Sequence, residues 1–165
     1  MPSSLWRTLL VGVISTLSMD VLSAVAYRLR LTAPLSPHLI GRWFAYLFRG
    51  HPFQADIAAA HAVRHELALA VPVHYAIGLS LAALYVWSML QLGWSPRNVW
   101  FALAFGLCTN VLPWLLMFPA MGYGFFGTHG PAGTRLFISS LLSHAFFGLG
   151  IWIGVTVMGI PSHVT

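Results

Sequence analysis

The sequence predicts an all-α, polytopic membrane protein, a bundle of four transmembrane helices with one long loop. Hydrophobic residues make up 58% of the 165 residues and charged residues only 7%, whereas soluble domains carry roughly 25% charged residues. The mean hydropathy is +0.80, so lipid must cover much of the surface. The chain length suits about four spans of roughly 20 residues each and one substantial connection. We expect a chain of this length to form a single membrane domain.

Four apolar runs are long enough to cross a bilayer. They cover about residues 5–27, 67–92, 99–121 and 134–158. The first run has features of a signal peptide, because Arg7 precedes it and Ala24-Val25-Ala26 is typical of a cleavage site. However, Asp20 falls inside the would-be apolar core, and the run is long enough to span. We therefore predict a retained first helix.

The long connection, residues 28–66, begins with helix-breaking residues, Pro34 and Pro37. The aromatic and arginine-containing stretch 39–49 suits a short helix at the level of the lipid headgroups, or alternatively an ordered loop packed on the bundle. The alanine-rich stretch 56–64 favours a helix, which would extend the second span into water.

Small or polar residues recur every fourth position in all four spans, which places them on one helix face. Such faces let helices approach closely. The members are Gly12, Thr16, Asp20 and Ala24; Ala70, His74, Gly78 and Ala82; Ala102, Gly106 and Asn110; and Ser140, His144 and Gly148. In the third span, Pro113 and Pro119 should bend or end the helix.

Arginine placement predicts the orientation. The first and third loops with their flanks carry six arginines, and the opposite side carries Arg7 and Arg97. The positive-inside rule puts those loops in the cytoplasm and both termini outside. Although the formal charge is +5, no basic run exists. Topology and lipid headgroups explain the arginines better than nucleic acid does, so the predicted partner is the lipid bilayer.

Ionisable side chains inside apolar spans are candidate functional residues, because placing them in hydrocarbon is costly. Asp20, His74 and His144 should each lie about 10–15 Å inside the same, cytoplasmic, leaflet, by the helical rise per residue. Asn110 lies nearer the middle of the membrane. Glu66 and Arg135 are placed at the cytoplasmic mouth. These side chains could line one polar cavity, with Asp20 holding a proton or cation and the histidines relaying or coordinating it.

Three interpretations of this cluster remain open. It is a structural hydrogen-bond network that locks the bundle, or a proton or solute pathway, for which so few spans would require a homodimer. Alternatively, Asp20, His74 and His144 bind a divalent metal in a membrane-embedded enzyme. The sequence contains no nucleophile elbow, phosphate loop, dinucleotide fingerprint or haem-attachment motif, which favours a role other than catalysis.

A series of short motifs extends over nearly the whole chain. They are Met19-Asp20, Gly41-Arg42-Trp43, His74-Tyr75-Ala76-Ile77-Gly78, Pro113, Met117, Pro119, Arg135-Leu136, and His144 with Phe147-Gly148-Leu149-Gly150. In this order they resemble a family of small bacterial inner-membrane proteins, the domain-of-unknown-function family number 2938. The resemblance implies a four-helix inner-membrane protein and brings no established activity or catalytic residues. The best functional prediction is a permease-like or solute- and proton-binding membrane protein.

Overall fold

The computed structural model describes residues 2–161, and no strand occurs within that range. The helices in chain order are α1 (Pro2–Arg28), α2 (Pro37–Phe48), α3 (Glu66–Gln91), α4 (Val99–Cys108), α5 (Phe118–Ala120) and α6 (Thr134–Val157). A π-helical segment, Pro113–Met117, precedes α5, and a 3-10 turn, Phe125–Gly127, follows it. The all-α prediction is therefore confirmed.

Four helical segments are long and apolar enough to cross a membrane. They are Leu5–Arg28, Glu66–Gln91, Val99–Ala120 and Thr134–Val157. Every boundary lies within one residue of the boundary expected from hydropathy. The agreement arises because length and apolar composition, which the sequence shows directly, are what define such a segment. The chain is thus compatible with a multi-pass membrane protein.

The third of these segments is irregular, as its prolines predict. Regular α-helix ends at Cys108, and the N–H of Phe118 bonds to the carbonyl of Pro113, five residues earlier. Pro113 has no N–H to donate and its ring crowds the preceding turn, which interrupts the α-helical hydrogen bonds there. The helical segment ends at Ala120, directly after Pro119.

The long connection contains one helix, α2, and not the second helix expected over residues 56–64. A helix does form where residues 39–49 predicted one. It begins at Pro37, whose fixed φ suits a first helical position, and buries Gly41, Trp43 and Ala45.

The prediction of a helix over residues 56–64 is wrong, because tertiary contacts outweigh the helix propensity of alanine. The carbonyls of Ile57, Ala58 and Ala60 accept hydrogen bonds from Arg42. The N–H of Ile57 donates to the carbonyl of Met121. His65, at the end of the stretch, has φ +64°. The backbone therefore turns at His65, and α3 begins at the next residue.

Contacts divide the chain into two compact units. The first comprises the described residues 2–25, 75–109 and 142–161. Its core is formed by apolar side chains of α1, α3, α4 and α6 and the residues after α6. The buried members are Val11, Ala82, Tyr85, Val86, Met89, Ala102, Phe147, Ile151, Val155 and Ile160.

The expected close approach of small residues occurs within this first unit. A Cβ on Gly12 would lie 2.7 Å from the Cα of Leu79, and one on Gly106 would lie 2.7 Å from the Cα of Gly148. Gly78 likewise lies against the hydroxyl of Thr16. These distances leave no room for a side chain at the glycines, so the four-residue spacing marks real helix contacts.

The second unit comprises residues 26–74 and 110–141. Its core contains Trp43, Ile57, Phe118, Ala120, Met121, Tyr123 and Leu136. The connection is joined to the last residue of α5 and to the residue after it by two backbone hydrogen bonds, from Gln54 to Ala120 (2.8 Å) and from Ile57 to Met121 (3.0 Å). The indole N–H of Trp43 also donates to the carbonyl of Pro52 at 2.9 Å.

Candidate functional site

Asp20 lies on α1 in the first unit, and its carboxylate interacts with α3. Its Oδ2 accepts a hydrogen bond from the hydroxyl of Tyr75 at 3.2 Å. Asp20 comes one turn after Thr16, and Tyr75 comes one turn before Gly78. The contact of Thr16 with Gly78 therefore brings the two helices close enough for the short aspartate side chain to reach across.

His144 lies on α6 in the same unit. Its Nδ1 is 2.6 Å from the hydroxyl of Thr109, and that hydroxyl also donates to the carbonyl of Gly106 at 2.5 Å. A hydroxyl carries a single proton, and a carbonyl can only accept. The two contacts are satisfied together in the tautomer in which His144 Nδ1 carries the proton and donates to the Thr109 hydroxyl.

Neutral side chains form two more bonds between helices. In the first unit the hydroxyls of Ser23 and Ser143 are 2.8 Å apart. In the second unit the hydroxyl of Ser140 donates to Oδ1 of the fully buried Asn110 at 2.8 Å. These pairs cannot change charge near neutral pH, so they are suited to fixing helix positions.

Glu66, at the start of α3 in the second unit, forms an ion pair with Arg42 of α2. Arg42 Nε donates to Glu66 Oε1 at 2.6 Å, and both side chains are largely buried, with 13% and 7% of their surface exposed. Oε1 also accepts the N–H of Val63 at 2.8 Å. The same guanidinium donates through Nη1 to three carbonyls of the connection, at 2.9–3.2 Å. The ion pair thus joins α2, the connection and α3.

Gly41 allows this arrangement. A Cβ at Gly41 would overlap the backbone carbonyl of Glu66, at 1.9 Å from its oxygen. The close approach of α2 to the first turn of α3 brings Arg42 within reach of Glu66. The motif Gly41-Arg42-Trp43 therefore has a structural explanation: close approach, ion pair and buried aromatic follow one another along the chain.

The six predicted site residues divide between the two units. Asp20 and His144 belong to the first, and Glu66, His74, Asn110 and Arg135 belong to the second. The side chains described above as bonded are Asp20, His144, Glu66 and Asn110. His74 is also engaged in an interaction. Arg135 donates to the backbone carbonyl of Arg30 at 3.2 Å. One polar cavity shared by these residues stays a prediction.

Sequence reasoning missed the partners Tyr75, Thr109 and Arg42. Tyrosine and threonine are common in apolar spans and carry no charge, so neither residue type marks a site by itself. In the sequence, Arg42 contributes to the topology prediction, to the stretch 39–49 and to the family motif, and none of these predicts its ion pair. The signal that could have found it is its position beside a glycine in a helix with a buried aromatic face.

Metal binding receives no support from the arrangement of side chains. Within residues 2–161, no group of three or more histidine, cysteine, aspartate or glutamate side chains is placed to hold a metal ion. A site of that kind needs at least three protein ligands on one ion. A divalent metal at Asp20, His74 and His144 stays a prediction.

Tyr123 presents a different polar group in the second unit. Its side chain is 3% exposed, and its hydroxyl has no hydrogen-bond partner among the described residues. Burial raises the pKa of Tyr123, and the Asp56 carboxylate raises it further, whereas Arg42 acts in the opposite direction. The hydroxyl therefore stays protonated at neutral pH as a buried donor.

Replacing Tyr123 by phenylalanine should stabilise the protein by about 1 kcal/mol, because a buried unsatisfied polar group costs about 1–3 kcal/mol. The ring remains in its apolar cluster and only the hydroxyl is removed. The measurement is the free energy of unfolding in detergent, with Tyr46→Phe as a comparison that should not stabilise, because the Tyr46 hydroxyl donates to the carbonyl of His61 at 3.3 Å. A loss of about 1 kcal/mol or more would show that the Tyr123 hydroxyl makes a bond.

The comparisons with known proteins point to one family. The model of the family described as "Protein of unknown function (DUF2938)" matches residues 9–158. No curated protein matches the chain, and no solved structure does.

Proposed function

Because the chain belongs to the DUF2938 family of proteins of unknown function, we propose its activity from site chemistry: a permease-like membrane protein that binds a proton at Asp20. The observation that supports this proposal is the hydrogen bond from Tyr75 to the Asp20 carboxylate. Both residues lie within candidate membrane spans. A carboxylate at such a depth is costly and is retained mostly where it binds or relays an ion.

His144 is the second proton-binding group in the proposal. Its Nδ1 is in contact with the Thr109 hydroxyl, and an imidazole ring can bind and release a proton. His74 is a further relay candidate, and Asn110 is a neutral hydrogen-bond partner. In the proposal, Glu66 and Arg135 are the charged residues at the cytoplasmic entrance of the proton path.

The proposal also covers location and assembly. The protein lies in the bacterial inner membrane with both termini outside, as the arginine distribution predicts. Its partners are the lipid bilayer and, because four spans are few for a complete transport path, a second copy of the chain. Nucleic acid is not among its partners.

A purely structural polar network is the competing function. The neutral pairs Ser23–Ser143 and Asn110–Ser140 favour it, because they join helices without any group that titrates near neutral pH. Such contacts between helices contribute about 0.6 kcal/mol on average. The two functions differ at Asp20, where only proton binding requires an ionisable group.

Proton flux into proteoliposomes tests the proposal. The purified chain is reconstituted with an internal pH-sensitive dye, and a potassium diffusion potential drives protons inward. The wild type should acidify the lumen faster than protein-free liposomes do, and Asp20→Asn should reduce the rate to the protein-free level. Tyr75→Phe should give an intermediate rate, since it removes the hydrogen bond and keeps the carboxylate.

Asp56→Asn is the matched control. Asp56 is exposed, outside the candidate spans, and its Oδ1 accepts the N–H of Ala58 at 2.8 Å. Asparagine retains that accepting oxygen, so the control makes the same chemical change without disturbing the turn. It should keep the wild-type rate. A wild-type rate equal to that of protein-free liposomes, or an undiminished rate in Asp20→Asn, would contradict proton transport.

A further inference from the structure

A cavity of about 640 Å³ lies in the second unit beside the first two turns of α3. Its lining combines imidazole, carboxylate and aliphatic groups. The lining residues are His38, Val63, His65, Glu66, Leu67, Ala68, Val71 and Pro72. A candidate membrane span begins at Glu66, and the end of such a span is expected at the level where lipid headgroups meet acyl chains.

The polar end of the cavity retains an acceptor, Glu66 Oε2. Oε1 is occupied by close bonds from Arg42 and Val63. Oε2 has only longer contacts, 3.5 Å from Arg42 Nη2 and 3.8 Å from His38 Nδ1. A carboxylate oxygen can accept more than one hydrogen bond, so Oε2 can take a further donor at good distance. The imidazole of His38 is exposed beside it, and the exposed His65 is another residue of the cavity lining.

The apolar end continues along the outside of α3. Leu67 is 44% exposed and Val71 is 49% exposed, and they are one helical turn apart. Ala68 and Pro72 are the adjacent exposed positions. A hydrocarbon chain that lies along this face would keep these side chains out of water, as expected for the start of a membrane span.

We propose that this cavity binds a phospholipid whose headgroup carries a primary ammonium, as phosphatidylethanolamine does. The ammonium donates to Glu66 Oε2, the phosphate lies beside the imidazoles of His38 and His65, and an acyl chain follows Leu67 and Val71. A primary ammonium has three N–H donors, whereas the trimethylammonium of phosphatidylcholine has none. This site is in the second unit and does not depend on proton binding at Asp20.

Selective lipid binding tests the proposal. The delipidated, full-length protein is equilibrated in detergent with equal amounts of phosphatidylethanolamine, phosphatidylcholine and phosphatidylglycerol that share the same acyl chains. Bound lipid is counted by native mass spectrometry. The wild type should retain phosphatidylethanolamine about tenfold better than phosphatidylcholine, from one charge-assisted hydrogen bond.

Two variants locate the lipid. Val71→Trp should place a bulky ring in the path of the acyl chain, and His38→Ala should remove the phosphate partner, so each should lower the bound fraction several-fold. His61→Ala is the matched control, because His61 is exposed and its bond to another described residue is made by its backbone carbonyl, which accepts from Tyr46. The control should bind as the wild type does. If the larger Val71→Trp substitution disturbs the fold, lipid binding by the more conservative His38→Ala variant decides whether the lipid occupies this cavity.

Other outcomes would overturn the proposal. Equal retention of the three lipids would exclude recognition of the ammonium. Undiminished binding in folded Val71→Trp or in His38→Ala would place the lipid elsewhere. Glycerophosphoethanolamine, the headgroup without acyl chains, should not compete. If it competes as well as the whole lipid, the ligand is a soluble phosphoamine, and the assignment to a lipid is wrong.

Discussion

Replacing Arg42 by methionine should lower the free energy of unfolding by about 3–5 kcal/mol, the usual cost of removing one member of a buried ion pair. Methionine retains the length of the side chain and removes the charge and all donors. Glu66 then remains buried with an uncompensated charge. The carbonyls of Ile57, Ala58 and Ala60 lose their donor as well, so the connection between α2 and α3 should loosen.

The measurement is denaturant-induced unfolding in detergent, followed by circular dichroism. Arg49→Met is the control, because Arg49 is exposed at the end of α2 and should change stability little. Adding Glu66→Gln to Arg42→Met should restore part of the loss, since the buried charge is removed and contacting residues are not additive. A loss below about 1 kcal/mol, the range of exposed pairs, would mean that the pair is solvated.

Gly122→Ala is the second change with a large expected effect, a loss of about 2–5 kcal/mol from backbone strain and overpacking together. Gly122 has φ +85°, and a Cβ there would lie 2.0 Å from the carbonyl oxygen of Ala55. The substitution would therefore strain the turn and separate it from the connection. Thermal unfolding in detergent measures the loss.

Gly50→Ala separates the two causes. Gly50 has φ +81°, nearly the same as Gly122, but nothing lies within 4 Å of its Cβ position. It should lose only the cost of the left-handed conformation, about 1–2 kcal/mol. Equal losses in the two variants would show that the close contact between Gly122 and Ala55 contributes nothing to stability.

The four long helices could be predicted because apolar length is a local property of the chain. The close helix contacts could also be predicted, because spacing of four places Gly12 with Thr16, and Gly106 with Asn110, on one face. Residues 56–64 show the limit. Their local preference is helical, but Arg42 and Met121, distant in sequence, take the backbone groups that a helix would need.

In the candidate site, too, local features can be predicted and contacts between distant segments cannot. Asp20 and His144 stand out in the sequence because an ionisable residue in an apolar run is rare, and Glu66 stands out at the edge of such a run. Their partners Tyr75, Thr109 and Arg42 do not stand out, because each is chosen by packing between segments far apart in the chain. The sequence therefore indicates which ionisable residues are candidates for a site, and it does not indicate their partners.

Proton binding at Asp20 is tested most directly by measuring flux and stability of Asp20→Asn in the same preparation. Asparagine keeps an oxygen that accepts the Tyr75 hydroxyl, but it cannot bind and release a proton near neutral pH. We predict that flux falls to the protein-free level while the free energy of unfolding changes by less than about 1 kcal/mol, the scale of polar contacts between membrane helices. Undiminished flux, or flux lost only together with the folded structure, would contradict this account.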